Sequence, residues 1–400
     1  MKLLLVALAT AAVGPAAGAA SAVADGPGVG TPAIVAVGDS AISGEAGRWA
    51  GNTNLEPWRV DALGPTAYYD NSSNSAETTP GCHRSKAAEI WIGGGVLSAN
   101  LACSGARTST QPYASGSNFK PGLDFYDDGA GHIGQAKALQ QYASTHDVKM
   151  VVALIGANDY GFSTVVQQCV EDWLLSPSWW PNYCYDDSNV AWRFTASNIA
   201  AMTTRVANAF MNLRTAMRNA GYADSQWTLL GQTYSSPIPA GSLFRYPQTG
   251  YTRQSVGGCG VWNRDADWAN NTVLPALNGT ITNAAAQSGL TNVEIFDGRA
   301  ALAGHRLCEN TVGLLEEKGL ATWQSPGAVD KTEWVSQIRT ATTLVGPYQL
   351  QEDLHPSYWG ELALRNCLRQ AYGNGAIHSG ACTHTATGLD SLGEPNMSYG

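Results

Sequence analysis

Five consecutive apolar residues without alternation, Ala33-Ile34-Val35-Ala36-Val37, stop abruptly at Gly38-Asp39-Ser40. A strand with one face in water alternates apolar and polar residues. A run that is apolar on both sides must be covered on both faces, the condition of a central strand in a parallel sheet. Met150 to Ile155 repeats the pattern and ends in Gly156-Ala157-Asn158-Asp159. Trp227 to Gly231 and Asn292 to Phe296 supply two more such runs, the last ending in Asp297. Helical stretches are expected at His132 to Tyr142, Thr195 to Ala220, Ala266 to Gln287 and Tyr358 to Tyr372. Buried strands alternating with amphipathic helices specify an α/β fold, here a three-layer α/β/α sandwich around a central parallel sheet. No repeat or linker divides the chain, so one domain with long insertions is expected over 33–385, followed by a C-terminal tail over 386–400.

Composition narrows the setting. Only 14% of the 400 residues are charged, against roughly 25% in average soluble proteins, so Asn, Ser, Thr, Gln and Gly must supply the polar surface. That suits an exported protein. Met1-Lys2, the apolar run Leu3 to Val13 and the small residues ending Ala20-Ser21-Ala22 read as a signal peptide over 1–22, with a Gly/Pro-rich leader over 23–32. Gly14 and Pro15 interrupt the run well before the about 20 apolar residues of a membrane anchor. The expectation is an extracellular monomer with no integral membrane segment once the leader is cleaved. A formal net charge of −9 excludes nucleic-acid binding through a basic face.

Export changes how the cysteines are read. Cys82, Cys103, Cys169, Cys184, Cys259, Cys308, Cys367 and Cys382 include no C-x-x-C pair and no histidine at zinc-ligand spacing, which favours disulfides over metal sites. The most local pairing is sequential: 82 with 103, 169 with 184, 259 with 308 and 367 with 382. Each bridge would close one loop.

In open α/β sheets ligands bind beyond the carboxyl ends of the strands, which directs attention to Ser40 and Asn158. Nucleophilic hydrolysis requires a hydroxyl or thiol, a base in hydrogen-bond reach and donors for an oxyanion. Gly38-Asp39-Ser40 puts a serine directly after a buried strand, though a serine there is also a common helix cap. Asn100-Leu101-Ala102-Cys103-Ser104-Gly105-Ala106 is a small-residue turn whose backbone could approach a ligand, and Asn158 offers a side-chain amide at a strand end. Glu352-Asp353-Leu354-His355-Pro356 places a histidine just before the last helix, with carboxylates two and three residues upstream.

Taken in order, these four blocks resemble the SGNH hydrolase superfamily, also called GDSL esterases and lipases. The resemblance covers nearly the whole mature chain, and the Gly-Glu downstream of Ser40 and the Asn-Leu-Ala-Cys-Ser-Gly-Ala string are similar to secreted actinobacterial members. It implies a flavodoxin-like sandwich, Ser40 as nucleophile, and an oxyanion hole from the N–H groups of Ser40 and Gly105 and the amide of Asn158. His355 would be the general base, and no metal or cofactor would be required. Family members usually carry Asp three residues before the histidine; here Glu352 stands there and Asp353 one residue later. The group orienting His355 is therefore the Glu352 side chain, ranked first by spacing, the Asp353 side chain, or a main-chain oxygen.

The aromatic, proline-stiffened excursion Trp173 to Tyr183, with Trp179 and Trp180, either walls the substrate cleft or packs on its own domain. Arg48-Trp49 and Tyr68-Tyr69 are further candidates to line a pocket. The resulting expectation is a secreted esterase or lipase acting on a small-molecule, lipid or glycan ester. A carbohydrate acetyl esterase and a non-catalytic carbohydrate- or surface-binding protein are the alternatives. A glycosidase with paired carboxylates would leave the four blocks unexplained.

Overall fold

The computed structural model describes residues 25–112, 119–339 and 352–400. The expected signal peptide, 1–22, and the first two residues of the 23–32 leader lie outside the described residues.

Seven strands form one sheet: β1 Pro32–Gly38, β2 Leu97–Asn100, β3 Asp147–Leu154, β4 Thr228–Gln232, β5 Val293–Asp297, β6 Gly380–Leu389 and β7 Pro395–Tyr399. Their order is β2-β1-β3-β4-β5-β6-β7. Every pairing up to β6 is parallel and only β7 runs antiparallel, on β6. Ala33 to Val37 are fully buried, so both faces of β1 are covered, as its unbroken apolar run requires. Among the helices around the sheet are α1 Ser40–Ser43, α2 Gln135–Ala143, α3 Phe162–Leu175, α4 Ala196–Asn219, α5 Leu274–Gln287 and α6 Tyr358–Tyr372. On α4, Met202, Val206, Phe210, Leu213 and Met217 are buried at helical spacing, which turns one stripe of the helix to the core.

Four of the strands and the two helices α4 and α6 lie close to their expected positions. The helix expected over 266–287 is interrupted: Asn263–Trp268 leads into a π-turn at Ala269–Val273 before α5 begins. Pro275, in the first turn of α5, has no N–H to continue the ladder, and the wider turn accommodates that loss. Strand β2 and the hairpin of β6 and β7 were not expected. Residues 386–400 are therefore no tail: they end β6 and complete the sheet with β7. The disulfides join Cys82 to Cys103, Cys169 to Cys184, Cys259 to Cys308 and Cys367 to Cys382, each to its neighbour in sequence. The last of them ties α6 to β6.

The carboxyl ends of β1 and β3 nearly touch. Gly38 adopts φ 142°, and a Cβ there would lie 2.0 Å from the Leu154 carbonyl oxygen. The Gln135 side chain clasps the same glycine, accepting from its N–H at 2.7 Å and donating to its carbonyl at 2.8 Å. Gly38→Ala should therefore cost on the order of 3 kcal/mol or more, read as a lower urea midpoint. An unchanged midpoint would show that β1 and β3 can separate freely.

Candidate active site

Where β1 ends, Asp39 caps α1 by accepting the N–H of Ala41 at 3.0 Å, and Ser40 becomes the first residue of that short helix. Tyr234, just beyond β4, donates its hydroxyl to Asp39 Oδ2 at 2.5 Å and accepts the N–H of Ala157 at 3.0 Å. One phenol thus fastens the serine turn to the Gly156–Asp159 turn. Burial pushes the Asp39 carboxyl up to about 7, against the opposing hydrogen bond from Tyr234. Nothing in the sequence marked Tyr234 for this role.

The other blocks converge on the same point. Cys103 N–H donates to the Gly38 carbonyl at 3.0 Å, and Asp159 accepts from both the N–H and the hydroxyl of Thr108. Gly105 adopts φ 77°, a conformation that favours glycine. Asn158 Nδ2 donates to the Ala106 carbonyl at 2.9 Å; an amide nitrogen carries two hydrogens, so one stays available. His355, 315 residues along the chain, brings Nε2 to 2.6 Å from Ser40 Oγ. Ser40, Gly105, Asn158 and His355 all border one cavity of about 1240 Å³.

The upstream acids do not do what their spacing suggests. Glu352 accepts hydrogen bonds from Trp49 Nε1 and Tyr68 hydroxyl, each at 2.5 Å. Asp353 accepts the N–H of Arg339 at 3.1 Å. Among the described residues His355 Nδ1 is buried with no hydrogen-bond partner, so neither Glu352 nor Asp353 nor a main-chain oxygen of those residues orients the ring through that nitrogen. The physical reason lies between them: Leu354 adopts φ 63°, which turns the backbone so that Glu352 and the imidazole do not share a side. Burial pushes Glu352 up to about 6 and Asp353 up to about 8. A carboxylate the sequence reading passed over, Glu45, approaches His355 instead, 3.7 Å from Nε2.

The aromatic candidates are also relocated. Trp49 and Tyr68 hold Glu352 and do not border the cavity, and neither do Trp179 and Trp180, which are 80% and 74% exposed. The wall is α3 itself, through Phe162, Val166, Val170 and Leu174. Leu274, Leu277, Ile338 and Leu354 close the same apolar side. A side chamber of about 70 Å³ extends it toward Val165, Ile238 and Trp268. Among the described residues no group of three or more His, Cys, Asp or Glu is arranged to hold a metal ion. No helix among them is long and apolar enough to cross a membrane.

The buried acid beside the serine has a measurable consequence. A native pKa of about 7 against 3.8 for the free side chain means that the folded protein holds a proton which the unfolded chain releases. Stability contributed by protonated Asp39 is thus complete below 3.8 and is lost as pH rises toward 7. Guanidinium unfolding of the wild type and Asp39→Asn between pH 4 and 8 should show the variant gaining on the wild type with pH, by up to ~4 kcal/mol. Parallel curves would place the Asp39 titration at its ordinary value.

No family model matches the chain, and no curated protein matches it. Solved structures that resemble it include an extracellular lipase from Streptomyces rimosus, at 19% identity over 82% of this chain and 94% of that one, with a TM-score of 0.42. A phospholipase A1 from Streptomyces albidoflavus is 18% identical over 83% of this chain and 95% of that one, at a TM-score of 0.45. A carbohydrate acetylesterase from Sinorhizobium meliloti is 11% identical over 86% of this chain and 99% of that one, at a TM-score of 0.32.

Proposed function

We propose that the protein is a secreted serine hydrolase of the SGNH type that cleaves carboxylic esters through an acyl-enzyme on Ser40. The observation that carries this reading is the 2.6 Å contact between Ser40 Oγ and His355 Nε2 at the edge of a large, mainly apolar cavity. In the first step Nε2 takes the Ser40 proton as Oγ bonds to the ester carbonyl carbon. The charge gathering on the former carbonyl oxygen is met by the N–H groups of Ser40 and Gly105 and by the free hydrogen of Asn158 Nδ2. The imidazolium then protonates the leaving alkoxide as the C–O bond breaks. Water, deprotonated by the same nitrogen, then bonds to the acyl carbon; the acyl–Oγ bond breaks, the carboxylic acid leaves and the imidazolium returns its proton to Ser40 Oγ. The chain's own groups account for each proton, and no cofactor is required. Four disulfides support an oxidising, extracellular setting.

The wall of α3 favours an acyl chain over a bare acetyl group, because an apolar surface of that length gains only when alkyl surface covers it. Hydrolysis of p-nitrophenyl esters should rise from acetate to longer acyl chains, and Ser40→Ala should lower kcat by on the order of 10³-fold or more. Acetate-only activity would favour the polysaccharide esterase, and no turnover at any length would overturn the hydrolase reading. In Glu352→Gln, kcat should fall less than about 10-fold, whereas loss of an acid that truly orients the histidine costs about 10⁴ in the serine proteases. A loss of that larger size would return Glu352 to the role its spacing suggested.

A further inference from the structure

Among the described residues His355 has no hydrogen-bond partner on the nitrogen that faces away from the serine. An imidazole that must become a cation normally leans on a carboxylate there. The carboxylate nearest to its reacting nitrogen is Glu45, which is fully buried just after the left-handed Gly44 that ends α1. Its Oε1 lies 3.1 Å from His83 Nδ1 and its Oε2 lies 3.7 Å from His355 Nε2. The Ser104 side chain also hydrogen-bonds this carboxylate; among the described residues Oε2 itself has no hydrogen-bond partner, so one oxygen is anchored and the other faces the catalytic pair. Ala46, the next residue, is held at φ 64°, a conformation alanine rarely adopts.

We propose that Glu45 is the positioning carboxylate of this site, balancing the charge of His355 from the serine side of the ring in place of an acid on Nδ1. This rests on the ester-hydrolase reading above. A separation of 3.7 Å is too long for a hydrogen bond but short for an ion pair. Glu45 therefore leaves Nε2 free to receive the Ser40 proton and attracts the ring once the proton has arrived. His83 acts as the anchor, fixing Oε1 so that Oε2 cannot swing away.

The charged surroundings agree. Burial pushes Glu45 up, but His355, His83 and a hydrogen bond from the Ser104 side chain together outweigh it and hold the carboxyl below its ordinary range. His83 is pushed down by burial and is nonetheless raised above its usual value by its hydrogen bond to Glu45 and by Glu45, Glu77 and Glu352. Lys120 also faces Glu45. Asp39, Tyr68, Glu352 and Asp353 feel its charge from the other packed elements.

Glu45→Gln keeps the shape and removes the charge. It should lower kcat on the order of 10- to 100-fold with KM within about threefold. The acid limb of kcat/KM should move down by about one pH unit as the imidazolium loses its counter-charge. NMR titration of the His355 ring should fall by the same amount, a readout that needs no substrate. A folded Glu45→Gln protein, checked by circular dichroism, with an unshifted ring titration would overturn the proposal. If that variant does not fold, Glu45→Asp decides: withdrawing the carboxylate by one methylene should lower the ring titration part-way, and no change would refute it. Wild type inactive on every ester while the ring titration still responds to Glu45 would sink the hydrolase reading alone.

Discussion

The approach of Gly38 to the Leu154 carbonyl sets the tolerance of everything above it. Two parallel strands can end this close together only if one of them has no side chain at the crossing, because a Cβ at position 38 would sit 2.0 Å from that oxygen. The gap is then fixed by hydrogen bonds: Asp39 N–H to Leu154, Gln135 to both backbone groups of Gly38, and Cys103 N–H to the Gly38 carbonyl. Ser40 and Asn158 follow these strand ends by two and four residues. Their separation is thus set by the sheet and hardly at all by loops. Rigid strands that hold mobile chemistry at their tips are the usual division of labour in open α/β folds.

Four buried carboxyls surround a single histidine, and their environments drive them apart. Burial without sufficient compensation pushes Asp39 up to about 7, Glu352 to about 6 and Asp353 to about 8. Glu45 alone, flanked by two imidazoles, is driven below its ordinary value. Near neutral pH Asp353 stays largely protonated and Asp39 about half so, while Glu352 shares the negative charge of the site with Glu45. The other three serve largely as hydrogen-bonding struts, Asp39 with Tyr234, Glu352 with Trp49 and Tyr68, and Asp353 with the backbone of Arg339. Similar groups take different tasks because their neighbours differ.

Much of this was legible in the order of residues. Strands covered on both faces announce themselves by unbroken apolar runs, so β1 and β3 and the positions of Ser40 and Asn158 beyond their ends could be read directly, while the partly buried β5, which carries Glu294, was marked only by its Val, Ile and Phe. Strand β2 could not, because Leu97–Asn100 is short and partly exposed at the sheet edge. Nor could β6, whose threonines face solvent and which has no unbroken apolar run. The acid nearest the histidine was misjudged because spacing along a chain translates into proximity only while the backbone keeps a regular path, and Leu354 breaks it. Glu45 and Tyr234 were invisible for a deeper reason: each matters through a partner at least 195 residues away, a distance that no local pattern encodes.

The order of strands also bears on how the molecule is made. From β1 outward the sheet runs β3, β4, β5, β6, β7, the order in which a ribosome delivers them. A chain that emerges N-terminus first, from a ribosome or across an export channel, can therefore lay each new strand against an edge already formed, with no need to open the sheet for a latecomer. Ser40 emerges near the beginning of this process and His355 only as the last helix follows, after which Cys367–Cys382 fastens that helix to β6. Until that helix docks, Ser40 lies beside a growing sheet with His355 out of reach. Their contact is thereby deferred until nearly all of the fold exists, an ordering that comes from topology.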